Sequence, residues 1–391
     1  MSERTVTSPD SQSIFSAPKI VHHPDRLLPY LGQFRRCESK AGRTELEGSV
    51  PITMEIDLTN VCSHRCPLCV GHRTPNSDQE QLFTVAGDGE QIPAARAADY
   101  IGQMAAAGVR GLIFTGGGEP TVHRSLESLV TLARSLGMDV GLITHGGLLH
   151  RRDVATLVTE CTWIRVSVDA ATVEEYATVH GCGRAEWDRV WRNIALLAAT
   201  ARKVEATGRQ PATIGVGYLA GPHNMDRLPF FAQLCRDHGV DYAQVRPFHR
   251  YIDVDVTDQI LDAQRRFGTD RFQVVGSLQK YSRIRSGRIV SRSYSYCHIT
   301  QFASVICANE RMYVCCHHRN LDAFCIGDLR KQSFLEIVKS AHRARVNNSI
   351  KVAACQPLCR GDHVNRCVEE ALSNPATPVR PANAPQHVNF L

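Results

Sequence analysis

The sequence lacks the features that would place the chain in a membrane or outside the cell. Its 391 residues contain no run of 18 apolar residues, and the N-terminus lacks the basic and then apolar stretches of a secretory signal. No cluster of lysine and arginine alternates with aromatic residues, and the formal net charge of +6 is spread along the chain. No internal repeat stands out. We therefore expect a soluble, cytoplasmic protein that binds neither membranes nor nucleic acids.

Cysteine, in contrast, is abundant, with 15 residues in the chain. In a small secreted protein this number would indicate disulfides, but in a long chain without an export signal it indicates metal ligation and reduced thiols. Cys62, Cys66 and Cys69 follow a strand-like run, 53–58, with C-x3-C-x2-C spacing. Three thiolates leave one iron of a [4Fe–4S] cluster open for a further ligand, whereas four close the site. The alternative for such a loop is a zinc site.

A second strand-like run, 111–115, follows about 45 residues later and ends in Gly116, Gly117, Gly118 and Glu119. Glycines let the backbone approach a ligand closely, and a carboxylate can answer a cationic amine. Together with the three cysteines, this segment resembles the radical S-adenosylmethionine (SAM) superfamily. The resemblance implies that the cysteines hold a [4Fe–4S] cluster, that SAM chelates the open iron, and that the glycine segment with its glutamate lines the methionine end of SAM.

Alternating strand-like and helical stretches predict βα units around a parallel sheet. The candidate strands are 53–58, 111–115, 139–144, 163–168, 213–219 and 242–246. Six such units fit the α/β fold that the resemblance implies, a partial (β/α)6 TIM-like barrel. The expected domains are an N-terminal tail and lead-in at 1–50, the barrel at 51–260, a linker at 261–289, an auxiliary-cluster domain at 290–370 and a C-terminal tail at 371–391.

Functional residues of parallel barrels lie at the carboxyl ends of the strands. Thr144 ends the third candidate strand and His145 follows it, where the family often carries a Thr-Asn-Gly-like segment near the nucleoside of SAM. Ser167 near the end of the fourth candidate strand and Asp169 just after it resemble the family's Ser-x-Asp segment, whose side chains help to hold the cofactor or face the substrate. These four residues are therefore candidate cofactor-binding residues, and a structural hydrogen bond is the alternative for each.

The sixth candidate strand leads to Arg246 and His249 at the expected barrel mouth. An arginine there can anchor a carboxylate or a hydroxyl of the substrate. Both residues are candidate catalytic residues, and a surface salt bridge is the alternative role for Arg246.

The C-terminal third holds eight cysteines within 71 positions, from Cys297 to Cys367. Residues 304–316 predict a hairpin that leads into a pair of cysteines, and residues 334–338 predict a helix. This order of elements resembles the auxiliary-cluster domain of the superfamily, which is called SPASM when it holds two clusters and twitch when it holds one.

Counting favours the one-cluster form, because residues 355–367 contain three cysteines where the two-cluster form needs a run of four. The resemblance then implies one auxiliary [4Fe–4S] cluster, whose expected ligands are Cys297, Cys315, Cys355 and Cys359. Cys316 and Cys367 are the substitutes for one of them, and a structural zinc site is the alternative to the cluster.

The resemblance also implies the chemistry. One electron from the reduced cluster, delivered by a flavodoxin- or ferredoxin-type donor, cleaves SAM to methionine and a 5′-deoxyadenosyl radical, which takes a hydrogen atom from a C–H bond. Similar one-cluster members include 2-deoxy-scyllo-inosamine dehydrogenase-type enzymes. The expected reaction is therefore oxidation of an alcohol in a sugar, aminocyclitol or nucleoside sugar, in antibiotic or polysaccharide biosynthesis.

Other reactions remain open. Epimerisation, dehydration or decarboxylation of a sugar would begin with the same hydrogen abstraction. Peptide maturation comes second to the small substrate, because peptide-modifying members usually add a leader-recognition domain that residues 1–50 are too short to contain. Outside the enzymes, the alternative is an iron–sulfur or zinc-binding interaction protein.

Overall fold

The computed structural model describes residues 19–37, 43, 46–67, 69, 90–248, 251–374 and 387–391. Within these ranges ten strands form one sheet: β1 Thr53–Asp57, β2 Gly111–Thr115, β3 Asp139–Thr144, β4 Trp163–Ser167, β5 Thr213–Ala220, β6 Tyr242–Pro247, β7 Gln273–Gly276, β8 Ala303–Ile306, β9 Arg311–Tyr313 and β10 Cys325–Asp328. The α-helices are α1 Pro24–Arg36, α2 Ala94–Ala107, α3 Leu126–Ser135, α4 Val154–Glu160, α5 Val173–His180, α6 Arg184–Ala206, α7 Leu228–Asp237, α8 Thr257–Phe267, α9 Leu278–Arg285, α10 Phe334–Lys339, α11 Ala341–Ser349 and α12 Asp362–Ser373.

Strands β1 to β7 lie side by side in chain order and pair in parallel, so their carboxyl ends meet at one rim. This parallel sheet with its covering helices confirms the predicted α/β fold of a partial barrel. Each of β1 to β6 agrees with a predicted strand to within one residue at either end. None of the helices in the described ranges is long and apolar enough to cross a membrane.

The sheet continues beyond the sixth strand. Residues 261–289, which were expected to be a linker, contain β7, α9 and most of α8. Strand β7 buries Val274 and Val275, but its four residues are too short a run for strand periodicity to be recognised.

The C-terminal third builds the other edge of the sheet. Strand β8 pairs in parallel with β1, β9 returns antiparallel to β8, and β10 pairs antiparallel with β9. The predicted hairpin corresponds to β8 and β9, and the predicted helix corresponds to α10. The segment that carries the C-terminal cysteines is thus hydrogen-bonded directly to the strand that leads into the first three cysteines.

Glycines make room for large side chains inside the barrel. A Cβ on Gly141 of β3 would lie 2.3 Å from the Trp163 ring, and a Cβ on Gly215 of β5 would lie 2.0 Å from the Tyr242 ring. Because such distances are shorter than any van der Waals contact, both positions require glycine. Large side chains from β4 and β6 therefore lie across neighbouring strands that have no side chain at these points.

Residues 387–391 close the barrel at the amino ends of its strands. The Phe390 ring packs edge-on against Trp163, with 5.3 Å between the ring centroids. Lys19 Nζ donates a hydrogen bond to the Phe390 carbonyl oxygen at 3.0 Å, and Thr53, the first residue of β1, also bonds to this segment. The segment thereby covers the interior at the end opposite to the rim where the candidate site residues lie.

We expect Phe390→Ala to lower the free energy of unfolding by about 3 kcal/mol, because it removes a buried ring and leaves a cavity against Trp163. Urea unfolding followed by tryptophan fluorescence measures the change. Val290→Ala, at a side chain that is 62% exposed, is the control and should change stability by less than about 0.5 kcal/mol. Equal effects of the two substitutions would contradict the packing role of Phe390.

Candidate active site

The loop that carries Cys62, Cys66 and Cys69, here called the cysteine loop, is held against the glycine segment after β2. Gly118 N donates to the Thr59 carbonyl oxygen and the next backbone N–H donates to the Val61 carbonyl oxygen, both at 2.9 Å. A Cβ on Gly118 would lie 2.3 Å from the Val61 oxygen. Glycine is therefore required at 118 so that the two loops can approach each other.

The thiols of the cysteine loop lie close enough to influence one another. Burial, with Glu119 and Cys69 nearby, raises the pKa of Cys62 to about 12. Burial and then Cys69 and Cys62 raise the pKa of Cys66. A bound cation reverses such shifts, because cysteine binds metal as the thiolate. Three converging thiols beside a backbone-lined loop fit a [4Fe–4S] cluster with one open iron.

Glu119 joins the carboxyl ends of β2 and β3. Its Oε1 accepts hydrogen bonds from Thr121 N at 3.0 Å and from the hydroxyls of Thr121 and Thr144 at 2.5 Å each, and its Oε2 accepts from His145 N at 2.9 Å. Burial raises the pKa of this carboxyl, but His145 and the threonine donors outweigh burial and hold the pKa below its ordinary value. Glu119 is thus an ionised group that orients Thr144 and His145 beside the glycine segment.

His64 of the cysteine loop lies close to two histidines from other parts of the chain. The rings of His64 and His145 are stacked with centroids 3.7 Å apart, and His64 Nε2 lies 3.0 Å from Glu186 Oε1. His180 Nδ1 lies 3.3 Å from Cys66 Sγ, and its Nε2 donates to a backbone carbonyl at 2.9 Å. Burial lowers the pKa of His180 to about 3, so the ring is neutral. Sequence reasoning identified His145 alone, because no local spacing shows that the other two meet it.

The histidines also offer donors to a metal ion. The ligand atoms of His64, Cys66 and His180 lie within 4.8 Å of one another, and so do those of His64, His145 and Glu186. Both groups use His64, and neither includes Cys62 or Cys69. A zinc ion at either group would thus use other ligands than the cluster, which needs Cys62 and Cys69. Iron and zinc analysis of the purified protein distinguishes the two.

The carboxyl ends of β4 and β6 bring two charged candidates near each other. Asp169 Oδ1 accepts a hydrogen bond from Leu219 N at 2.7 Å. Burial raises the pKa of Asp169 to about 6, although the Leu219 N–H and Arg246 oppose the shift. Ser167 ends β4 and is half-buried. His249, the other catalytic candidate, lies outside the described residues.

The C-terminal cysteines line a cavity of about 420 Å³ beside β1 and β8. The four expected ligands all contribute to its wall: Cys297, Cys315, Cys355 and Cys359. Cys316 also lines the cavity, whereas Cys367 does not belong to the wall that the described residues form. Thiols from three separate segments thus converge on a space large enough for an inorganic centre.

Cys316 lies beside charged groups as well as beside other cysteines of the cavity. After burial, Glu55 is the main influence that raises the pKa of Cys316 to about 11, and Arg360 opposes it. Glu55 Oε1 lies 2.5 Å from Arg360 Nη1, and Glu55 Oε2 lies 2.7 Å from Arg319 Nη2. The Cys316 thiol therefore lies on the side of the cavity that faces the inner charges of β1.

Comparison with known proteins gives the class of the domain. Residues 56–213 match the Radical SAM superfamily. The GTP 3′,8-cyclase of Chlorobaculum tepidum is 27% identical over 199 residues, which cover 50% of this chain and 54% of that protein. The mycofactocin maturase MftC of Mycobacterium ulcerans is 26% identical over 210 residues, covering 52% of this chain and 50% of that protein. The matches thus span about half the length of these relatives.

The fold is also similar to a solved structure. SuiB of Streptococcus suis, bound to its precursor peptide SuiA, superimposes with a TM-score of 0.59 at 13% identity over 92% of this chain and 80% of that chain. At this identity the likeness shows the fold alone. Together with the cysteine loop, the superfamily match indicates a radical SAM domain that includes residues 56–213. Its cofactors are a [4Fe–4S] cluster and SAM, and the C-terminal cysteines provide donors for an auxiliary cluster.

Replacing Cys62, Cys66 and Cys69 together with alanine should abolish SAM cleavage and leave part of the iron bound, because the C-terminal cysteines form a separate site. Iron content and 5′-deoxyadenosine are measured on anaerobically reconstituted protein after addition of reductant. Formation of 5′-deoxyadenosine by the triple variant would show that the cluster site is elsewhere.

Glu119→Ala should weaken SAM binding by about ten- to a hundredfold, because one charge-assisted hydrogen bond and the alignment of β2 with β3 are lost. Anaerobic equilibrium dialysis with labelled SAM measures the affinity, and iron analysis checks the cluster. Glu205→Ala, at an exposed position near the end of α6, is the matched control and should leave affinity unchanged. Unaltered affinity in Glu119→Ala with intact iron would remove Glu119 from the site.

Proposed function

We propose that this chain is a radical SAM oxidoreductase that oxidises an alcohol of a small hydroxylated substrate, such as a sugar, an aminocyclitol or a nucleoside sugar. The observation that carries the proposal is the position of two cysteine sites around one strand. The cysteine loop follows the carboxyl end of β1, and the C-terminal cysteine cavity includes Thr53 and Glu55 of the same strand in its wall. A substrate in the barrel interior would therefore lie between a radical source and an electron acceptor.

The cavity supports Cys297, Cys315, Cys355 and Cys359 as the ligands of one auxiliary [4Fe–4S] cluster. After burial, Cys359 and Cys355 are the strongest influences that raise the pKa of Cys297, which indicates that these three thiols face one another. The pKa of Cys315 is raised by burial and then by its neighbours Cys316, Cys297 and Cys359. For Cys316 the first influence on the pKa after burial is Glu55, and the thiol of Cys359 comes after it, so we assign Cys315 rather than Cys316 to the cluster.

Residues of the barrel would bind and orient the reactants. We assign Gly116, Gly117, Gly118 and Glu119 to the methionine end of SAM, and Thr144, His145 and Ser167 to the remainder of the cofactor. Arg246 anchors the substrate, and the Asp169 carboxylate, whose pKa burial raises to about 6, accepts a proton. His249 remains a proposed catalytic residue and lies outside the described residues.

The proposed oxidation balances as follows. The bound cofactors supply a radical that takes the hydrogen atom from the carbinol carbon into 5′-deoxyadenosine, and an auxiliary cluster that accepts the one remaining electron. The hydroxyl proton passes to Asp169, and the carbon–oxygen bond becomes a ketone. A flavodoxin- or ferredoxin-type protein is the proposed source of the electron that starts the reaction.

Peptide maturation is the second candidate, and a specific observation favours it. Mycofactocin maturase MftC is 26% identical over 210 residues, and its name describes a maturase. The GTP 3′,8-cyclase, by its name, acts on a nucleotide. Incubation of reduced enzyme and SAM with aminocyclitols, sugars and nucleoside sugars, and separately with candidate precursor peptides, distinguishes the two by which compound increases the formation of 5′-deoxyadenosine.

For the oxidation, the product should be two mass units lighter than the substrate and carry no solvent deuterium when the reaction is run in heavy water. Replacing both Cys355 and Cys359 with alanine should stop ketone formation and still permit uncoupled release of 5′-deoxyadenosine, because the electron acceptor is lost. Cys367→Ala, outside the cavity wall, is the control and should leave ketone formation intact. An isomer that carries one deuterium would establish epimerisation and overturn the oxidation.

A further inference from the structure

Two arginines on the inner face of the barrel have unused hydrogen-bond donors. Arg165 of β4 is 8% exposed, and its Nη1 donates to Gln244 Oε1 at 2.6 Å. Arg246 of β6 lies on the same strand face as Gln244, two residues closer to the rim. In the part of the chain that the structure describes, the buried Nε atoms of both arginines lack a hydrogen-bond partner. No described carboxylate lies within ion-pair distance of either guanidinium.

Strand β5 separates the two arginines and contributes little to the space between them. Its residues Gly215 and Gly217 lie beside Arg165 and Gln244 in the register of the sheet. The Arg165 Cδ atom is 3.8 Å from the position that a Cβ would take on Gly217. Because both glycines lack a side chain, the stem of Arg165 extends over bare backbone towards β6.

The arginines belong to a group of neighbouring cations inside the barrel. Burial, and next Arg246, lowers the pKa of Arg165 to about 9. Burial lowers the pKa of Lys280 of α9 to about 8, and Arg246 and Arg360 add to the decrease. Arg360 already pairs with Glu55. Cations that lower one another's pKa are close together, so an anion among them would be favoured.

The auxiliary cluster cannot account for all of these cations. Cys359 raises the pKa of Lys280, and Cys316 raises that of Arg360, so these two face the cysteine cavity. For Arg246, in contrast, the strongest influence on the pKa after burial is Asp169. Arg165 and Arg246 therefore face the barrel interior, between the cavity and the cysteine loop.

We propose that Arg165 and Arg246 bind an oxyanion group of the substrate, a carboxylate or a phosphate, and so make the barrel selective for anionic substrates. The inference rests on the proposed function to the extent that the barrel interior is the substrate site, and among the proposed substrates it favours a sugar or nucleoside sugar with a phosphate or carboxylate over a cationic aminocyclitol. Buried cations without an anionic partner are costly, and the planar guanidinium matches the two oxygens of such a group. The bound anion supplies a partner at ion-pair distance, which no carboxylate among the described residues provides, Asp169 being near Arg246 but not paired with it.

Binding of inorganic phosphate and of acetate to the cluster-reconstituted protein tests the inference without SAM or reductant. Phosphate is followed by 31P NMR and labelled acetate by 13C NMR, at an ionic strength held constant with sodium chloride. We expect at least one anion to bind, and Arg165→Met and Arg246→Met each to weaken that binding by about tenfold or more. Arg246→Lys should retain part of the affinity, because lysine keeps the positive charge but lacks the two parallel N–H donors of the guanidinium.

Arg265→Met is the matched control, since that arginine lies on the outer surface of α8 and is 70% exposed. Binding of phosphate alone indicates a phosphorylated substrate, and binding of acetate alone indicates a carboxylate. The inference is overturned if neither anion binds, if both methionine variants that fold bind as the wild type does, or if Arg265→Met has an equal effect. Absence of SAM cleavage would instead count against the proposed function, since these measurements do not depend on it.

Discussion

The pairing of β1 with two strands from distant parts of the chain is the constraint on which both cysteine sites depend. On one side, Thr53 pairs with Gly111 of β2, and on the other side it pairs with Ala303 of β8. The carboxyl end of β1 delivers the cysteine loop to the glycine segment, while its β8 edge brings the C-terminal cysteines alongside. Because side chains alternate between faces, a slip of one residue in either pairing would turn Glu55 away from the cysteine cavity.

Buried ion pairs hold the cysteine cavity to the barrel. Asp57 Oδ2 lies 2.9 Å from Arg319 Nε, and Glu55 binds both Arg319 and Arg360. Such pairs add little net stability because both charges lose water, but loss of one partner leaves a buried charge and costs about 3–5 kcal/mol. Since Arg360 directly follows Cys359 in the sequence, the network fixes where that thiol lies relative to β1.

The sequence predicts the features that local patterns encode. Strands β1 to β6 are strand-like runs that alternate with helical stretches, and the cysteine loop has diagnostic spacing within a few residues. Contacts between distant residues leave no such pattern: His180 meets Cys66 across the rim, and Phe390 reaches the amino ends of the barrel strands. Arg165 lies in the middle of β4, so the sequence pattern places it in a strand. The pattern does not show that its Nε donor lacks a partner among the described residues. The roles of His180, Phe390 and Arg165 become visible only when the arrangement of the strands is known.

The charged groups of the interior form a series from one cysteine site to the other. Asp169 is among the groups that raise the pKa of Cys66 on the cysteine loop, and it also raises the pKa of Arg246. The pKa of Lys280 is in turn raised by Cys359 and lowered by Arg246. Positive charge predominates in the middle of this series, where the chain supplies Asp169 as the nearby carboxylate. An anionic substrate at this place would offset part of this positive charge and lie between the cysteine loop and the C-terminal cysteine cavity. Electrostatics would thus favour a loaded barrel over an empty one before hydrogen abstraction begins.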